Sequence, residues 1–459
     1  MTSRVLFPVA ILVATAVVVV ATIRDAKTTA AAGDPSLSRR SATREGGLPE
    51  SLAGTSRAEL TSTVSAMTAR LAADPANPAA VVWLANALIR LQRVNNDGRA
   101  VITAEEHLRA VLARRPDHYE ARRMLAAVLL SQHRFADAIR EANQTMAADP
   151  RDAWNYGAAG DGYMELGEYA RAFDAFDRMG QLQPGPAAYA RTAYALEIKG
   201  DLDGALDYMQ RAADGTSPND PESQAWHYAQ IGDLLLQLGR VPRARIEYER
   251  ADATFPGHPM AIIGLARIKM ADGDLKAARL MLQAQLARTA TPDLASAVGD
   301  LSAAIGDAAM ADQYYQMAEQ IERAAWGNGL RQPQVLARIL SERPGRAAEA
   351  VSLAEEAART RADIVTMDTL AWAYFKSGQI AEARKASGQA LRTGTRHARI
   401  RCHADAIEQT HLRQGYGGQA TFSARAPGAI RHCLEWRPGS FSSPLRRSCL
   451  RCARSGRRR

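Results

Sequence analysis

Nine alanines recur along the middle of the chain at near-constant spacing: Ala104, Ala138, Ala172, Ala205, Ala244, Ala278, Ala311, Ala350 and Ala383, separated by 34, 34, 33, 39, 34, 33, 39 and 33 residues. A period in this range means a stack of similar supersecondary units rather than one closed core. Two further registers run in phase with it. Glycine stands five residues before seven of the alanines, at Gly167, Gly200, Gly239, Gly273, Gly306, Gly345 and Gly378, the first two repeats being the exceptions. Proline recurs every 34 residues at Pro116, Pro150, Pro184 and Pro218.

Each mark has a physical reason. Glycine permits the positive-φ turn that ends one helix before an antiparallel partner begins. Alanine fits where two helices cross, because a larger side chain holds the axes apart. Proline ends the second helix, since it has no N–H for an interior hydrogen bond. Hydrophobic residues make up 47% of the chain but aromatics only 6%, a balance that suits close-packed helices better than strands. A chain of 459 residues is also too long for one ordinary core, which repetition resolves.

At these positions the chain resembles the tetratricopeptide repeat family. Tyr228, Ile231, Gly232, Leu235, Gly239, Ala244, Tyr248, Ala251 and Pro256 follow the family pattern, as do Tyr156, Gly160, Tyr163, Gly167, Tyr169, Ala172, Phe176 and Pro184, and then Leu370, Ala371, Tyr374, Gly378, Ala383 and Ala390. The resemblance implies an all-α, right-handed superhelical solenoid of helix pairs. About nine pairs are expected over residues 57–394, with a long loop from Val94 to Val101 in the first and inserts near Gly215 to Glu222 and Ala325 to Pro333.

Before the repeats, an apolar run from Val5 to Ile23 follows Arg4, and Arg24 and Lys27 follow it. At ~1.5 Å per residue the run is long enough to cross a hydrocarbon core of about 30 Å, while the small residues from Thr28 to Gly33 offer a cleavage site. Residues 1–32 are therefore read as a signal anchor or signal peptide, a transmembrane helix in the first case, with the body outside the cytoplasm. Residues 33–56, rich in Ser, Gly, Arg and Pro, read as a flexible linker.

Beyond Gly394 the pattern stops: His397 to Leu412 can form one more first helix, but no second helix follows. Residues 395–459 hold 14 Arg against Asp405, Glu408 and Glu435, a net +11; with the whole chain at +9, the first 394 residues carry −2. The tail reads as a disordered basic arm or as the product of a shifted reading frame. The high pI thus belongs to the tail, and the body has no electrostatic footprint for nucleic acid.

No catalytic constellation stands out. His-Glu-x-x-His, Gly-x-Ser-x-Gly and phosphate-loop motifs are missing from the sequence. Cys449 and Cys452 have knuckle spacing, yet Cys402, His432 and Cys433 are scattered through an arginine-rich segment, and adventitious thiols are the better reading. Neither metal nor cofactor is expected.

What the resemblance implies for function is a non-catalytic scaffold that presents a concave groove to a peptide or partner protein. In the family the first helix of each repeat lines that groove. Its register carries over to Glu120, Arg123, Trp154, Asp161, Glu165, Tyr194, Glu197, Trp226, Asp233, Arg267, Asp293, Asp300, Asp368 and Trp372. Acids outnumber bases there, so a neutral to basic partner is expected, with the tryptophans as apolar anchors or as packing between repeats. The Lys and Asn set with which some family members clamp a terminal carboxylate does not appear at matching positions. Alternatives are a regulatory region of a multi-chain envelope enzyme or transport system, and an enzyme whose site the sequence conceals.

Overall fold

A computed structural model describes residues 56–415, apart from 76, 96, 97 and 328. Helix formation begins at a capping box: the Ser56 hydroxyl accepts from the Glu59 N–H at 3.3 Å, and the Ser56 N–H returns 2.9 Å to the Glu59 carboxylate. From there the described residues form twenty α-helices and no strand. They are α1 (Arg57–Ala73), α2 (Pro78–Asn95), α3 (Gly98–Arg114), α4 (Tyr119–Ser131), α5 (Phe135–Ala148), α6 (Ala153–Leu166), α7 (Tyr169–Leu182), α8 (Pro186–Ile198), α9 (Leu202–Gly215) and α10 (Pro221–Gln237). The second half holds α11 (Val241–Thr254), α12 (Pro259–Ala271), α13 (Leu275–Arg288), α14 (Pro292–Ile305), α15 (Ala308–Gly327), α16 (Pro333–Ser341), α17 (Ala347–Thr360), α18 (Ile364–Lys376), α19 (Ile380–Ala390) and α20 (Ala398–Gly415).

Each even-numbered helix from α2 to α18 pairs with the helix that follows it, and the seven pairs from α6–α7 onward turn at the glycine that marks them in the sequence. All seven register glycines have positive φ, from 76° at Gly239 and Gly345 to 94° at Gly306. In the α4–α5 turn, where glycine is missing from the register, His133 takes the slot with φ 60°, the one non-glycine in that region among the described residues. The nine register alanines are all buried, eight of them completely. The register prolines follow the ends of α3, α5, α7 and α9 by two or three residues.

Two local expectations need adjustment. The long loop placed at Val94–Val101 is shorter, because α2 runs on to Asn95 and α3 starts at Gly98. The insert near Ala325 begins in helix, since α15 extends to Gly327 and α16 starts only at Pro333. The helix expected over His397–Leu412 is present as α20, and its Ile400 and Ile407 are buried, so the helical stack continues past Gly394. The apolar run Val5–Ile23, the linker over residues 33–55 and the tail beyond Gly415 lie outside the described residues.

The stack coils until its turns meet. The α6–α7 turn lies against the loop before α18: the Ala362 N–H donates to the Leu166 carbonyl at 3.3 Å, and the Ile364 N–H to Tyr169 Oη at 2.8 Å. At the next pair along, a Cβ on Gly200 would stand 2.4 Å from the Gly394 carbonyl oxygen. Near the start, Arg90 reaches Asp220 at 3.4 Å and Arg93 reaches Glu222 at 2.5 Å. A solenoid in which each repeat touched only its neighbours would show none of these contacts.

Candidate interaction surface

Residues three or four apart on a helix share one face, so Glu120 and Arg123 on α4, Asp161 and Glu165 on α6, and Tyr194 and Glu197 on α8 each form a short polar row. Coiling brings the rows of successive first helices side by side.

At the N-terminal end, Glu120 is half-exposed and lies 3.4 Å from Arg123. Arg123 also pairs with Asp152 at 3.0 Å, and its guanidinium covers the ring of Trp154 at 4.6 Å. On α6, Asp161 is 3% exposed and accepts two hydrogen bonds from Arg191 of α8, at 2.9 and 2.7 Å. Burial pushes the Asp161 carboxyl up to about 6, against the pull of Arg191. Glu165 is equally buried and meets Arg361 at 2.5 Å across the turn-on-turn contact; burial takes its carboxyl up to about 7 despite that cation. Beside it the Tyr194 phenol is driven well above its usual range, first by burial and then by Glu165.

Farther along, Asp233 of α10 accepts from Tyr248 Oη at 2.5 Å and from Arg267 of α12 at 2.6 Å. Asp293 of α14 pairs with Arg338 of α16. Asp368 of α18 meets His403 Nδ1 at 2.9 Å and Arg399 Nε at 3.2 Å, both from α20. Trp372 donates to Glu342 at 2.6 Å and stacks on His403 at 3.9 Å, and Lys376 shares Glu342 at 3.0 Å. Water reaches parts of this surface: the Arg267 side chain is 50% exposed and that of Arg399 35%.

Two carboxylates differ from the rest. Among the described residues, Glu197 accepts only from the Gln237 carboxamide at 2.7 Å, and Asp300 of α14 only from Tyr315 Oη at 2.6 Å. Neither has an ion-pair partner among the described residues. Burial takes both up to about 7, with Asp233 adding to the effect at Glu197 and Glu342 at Asp300.

The structure thus corrects the sequence reading of this face. The tryptophans are not exposed anchors, since Trp154, Trp226 and Trp372 are 6%, 6% and 4% exposed, and Trp226 packs edge-on against His227. Asp161, Glu165 and Asp368 are likewise internal, tied up by cations of the chain itself. The excess of acids narrows from eight against two to eight against seven once Arg191, Arg338, Arg361, Lys376 and Arg399 are included. Most of these were within reach of a repeat-aware search, because Arg191 and Arg399 follow their acids by 30 and 31 residues, about one repeat. Arg361 was not, lying 196 residues from Glu165.

With the geometry in view, sequence comparison adds the family. One tetratricopeptide repeat model matches residues 101–159 and 235–301, and a second matches residues 158–223. The chain is a tetratricopeptide repeat protein. Repeats of this family generally mediate protein–protein interaction, and proteins built from them are typically non-enzymatic scaffolds. No curated protein sequence matches.

Among solved structures this repeat protein is similar to a chain of the APC/C hetero-tetramer Cut9–Hcn1 (14% identity, TM-score 0.45), covering 76% of this chain and 59% of that one. It is also similar to human IFIT1, solved as a dimer with m7Gppp-AAAA (16%, TM-score 0.46, 74% and 77% covered), and to yeast Tom70 (15%, TM-score 0.41, 78% and 87% covered). Among the described residues no group of three His, Cys, Asp or Glu side chains could hold a metal ion, and no helix is long and apolar enough to cross a membrane.

Proposed function

We propose that this repeat protein is a non-catalytic scaffold whose concave face receives a neutral to basic segment of a partner protein. The observation that carries the reading is the pair Glu197 and Asp300. Both stand on first helices, and each is held by one neutral donor while the other acids of the face have cations. A lysine or arginine of a partner would supply the missing charge and restore both carboxylates to their ionised form. The apolar run Val5–Ile23 supports placing the scaffold outside the cytoplasm, anchored or exported.

Affinity capture with the full chain, followed by mass spectrometry, would identify the partner. Glu197→Gln with Asp300→Asn should then weaken capture and flatten its salt dependence without changing helicity. If affinity survives the double change and is lost instead when Ile246 and Leu280, exposed on α11 and α13, become serine, the concave assignment is wrong.

A further inference from the structure

Arg57, the first residue of α1, and Arg288, the last of α13, face each other across a cavity of 140 Å³, room for several waters. Asn95, Gly257, Gln285 and Thr289 complete its lining. Gly257 sits in the α11–α12 turn with φ 72°, and a Cβ there would fall 2.3 Å from Arg288 Nη2; the bare backbone is what lets the guanidinium lie over the turn. Arg57 donates to Asn95 Oδ1 and covers the Phe255 ring at 5.8 Å.

Neither arginine has an ion-pair partner among the described residues. The nearby charges are spoken for. Arg93 is taken by Glu222, and Asp252 accepts the Gly257 N–H at 2.8 Å. His258 is neutral at pH 7, its pKa lowered to about 4 by burial and then by Arg93 and Arg57. Burial, and after it the nearness of Arg288, also lowers Arg57. Gln285, 2% exposed, donates Nε2 to Thr289 Oγ1 at 2.7 Å while its Oε1 has no partner. Turned over, the same carboxamide accepts from the Thr289 hydroxyl and offers its NH₂ to the cavity.

We propose that this cavity binds one small oxyanion, a phosphate or a carboxylate, gripped between the guanidiniums of Arg57 and Arg288 with Gln285 donating from below. Planar guanidinium forks match oxyanion geometry and bind it through charge-assisted hydrogen bonds. An anion between them also turns a like-charge contact into two attractive ones. Because the site joins α1 to α13, its occupation ties the start of the stack to the sixth helix pair and stabilises the folded chain by linkage. Its lining shares no residue with the first-helix row that carries Glu197 and Asp300, and neither proposal depends on the other.

Thermal unfolding of the full chain in phosphate, in acetate and in chloride at matched ionic strength tests it. Phosphate should raise Tm saturably by roughly 2 °C over chloride. Arg57→Gln and Arg288→Gln should each lose that increment, while Arg109→Gln, an exposed change on α3, should keep it. Acetate matching phosphate would identify a carboxylate as the ligand, and phosphate acting alone a phosphoryl group. Should a glutamine variant lose its helical signal, calorimetric titration of phosphate into the natural chain and into Arg288→Lys decides: a single-site isotherm weakened by lysine supports the site, and identical isotherms overturn it. An equal response to phosphate and chloride, or an increment unchanged in either glutamine variant, also overturns it.

Discussion

The Tyr248 ring passes between Gly232 and Gly264 and places its hydroxyl 2.5 Å from Asp233. The same construction recurs two repeats later, where Tyr315 packs on Gly299 and donates to Asp300 at 2.6 Å. In the earlier copy, Gly160, Asp161 and Phe176 hold the corresponding places, but a phenyl ring has no hydroxyl to give, and Asp161 takes Arg191 instead. A glycine on the first helix thus admits the aromatic ring, and the acid beside it accepts what the ring carries.

A methyl group at Gly264 would lie 2.1 Å from the Tyr248 ring, which is held on its other side by α10. Gly264→Ala should therefore destabilise the protein by about 1–3 kcal/mol through overpacking. Chemical denaturation would show a lower midpoint; an unchanged midpoint would mean that the ring can move aside.

Asp161→Ala leaves the Arg191 guanidinium, itself 3% exposed, without its counter-charge. A loss of about 3–5 kcal/mol follows, and Asp161→Ala with Arg191→Met should recover much of it, since removing both charges is far cheaper than removing one. If the double variant is no more stable than the single one, the pair is not coupled as described.

Asp300 carries a pH signature. Burial raises its carboxyl to about 7, against about 3.9 in an unfolded chain, so between these values the folded protein holds a proton that the unfolded chain has released. Its contribution is complete below about pH 4 and is lost as the pH rises through about 7. Asparagine is neutral throughout, so the stability of Asp300→Asn relative to the natural chain should improve steadily from pH 4 to 7. A difference independent of pH would refute the buried, raised carboxyl.

His133 is the one non-glycine in the left-handed region among the described residues, half-buried with its ring edge-on to Phe135 at 5.6 Å. His133→Gly should be tolerated, whereas His133→Val should cost about 1–2 kcal/mol, because a β-branched side chain is strained there. Equal melting temperatures for the two variants would show that the turn relaxes into another conformation.

How much of this could be read beforehand follows from sequence distance. The registers of Ala244, Gly239 and Pro218 are local packing and turn requirements repeated many times, so the helix pairs were legible. The slot filled by His133 was visible only as a missing glycine, since the sequence pattern does not say that a histidine will adopt φ 60°. Which residues share one face of a first helix could be read from their spacing, but the exposure of Asp161 or Trp372 depends on what the coil brings opposite them. Arg191 lies a repeat away from its acid and Arg361 nearly six repeats away, and only the pitch of the superhelix decides the second encounter.

That pitch has a mechanical consequence. A coil with open turns stretches like a soft spring, each repeat yielding a little. Here the Glu165–Arg361 and Arg90–Asp220 contacts fasten one turn to the next, so tension applied between the ends of the stack first meets closed turns in parallel. The force–extension curve of such a body begins stiff and becomes compliant only after the turns part, which makes this coil a strut at low load and a spring above it.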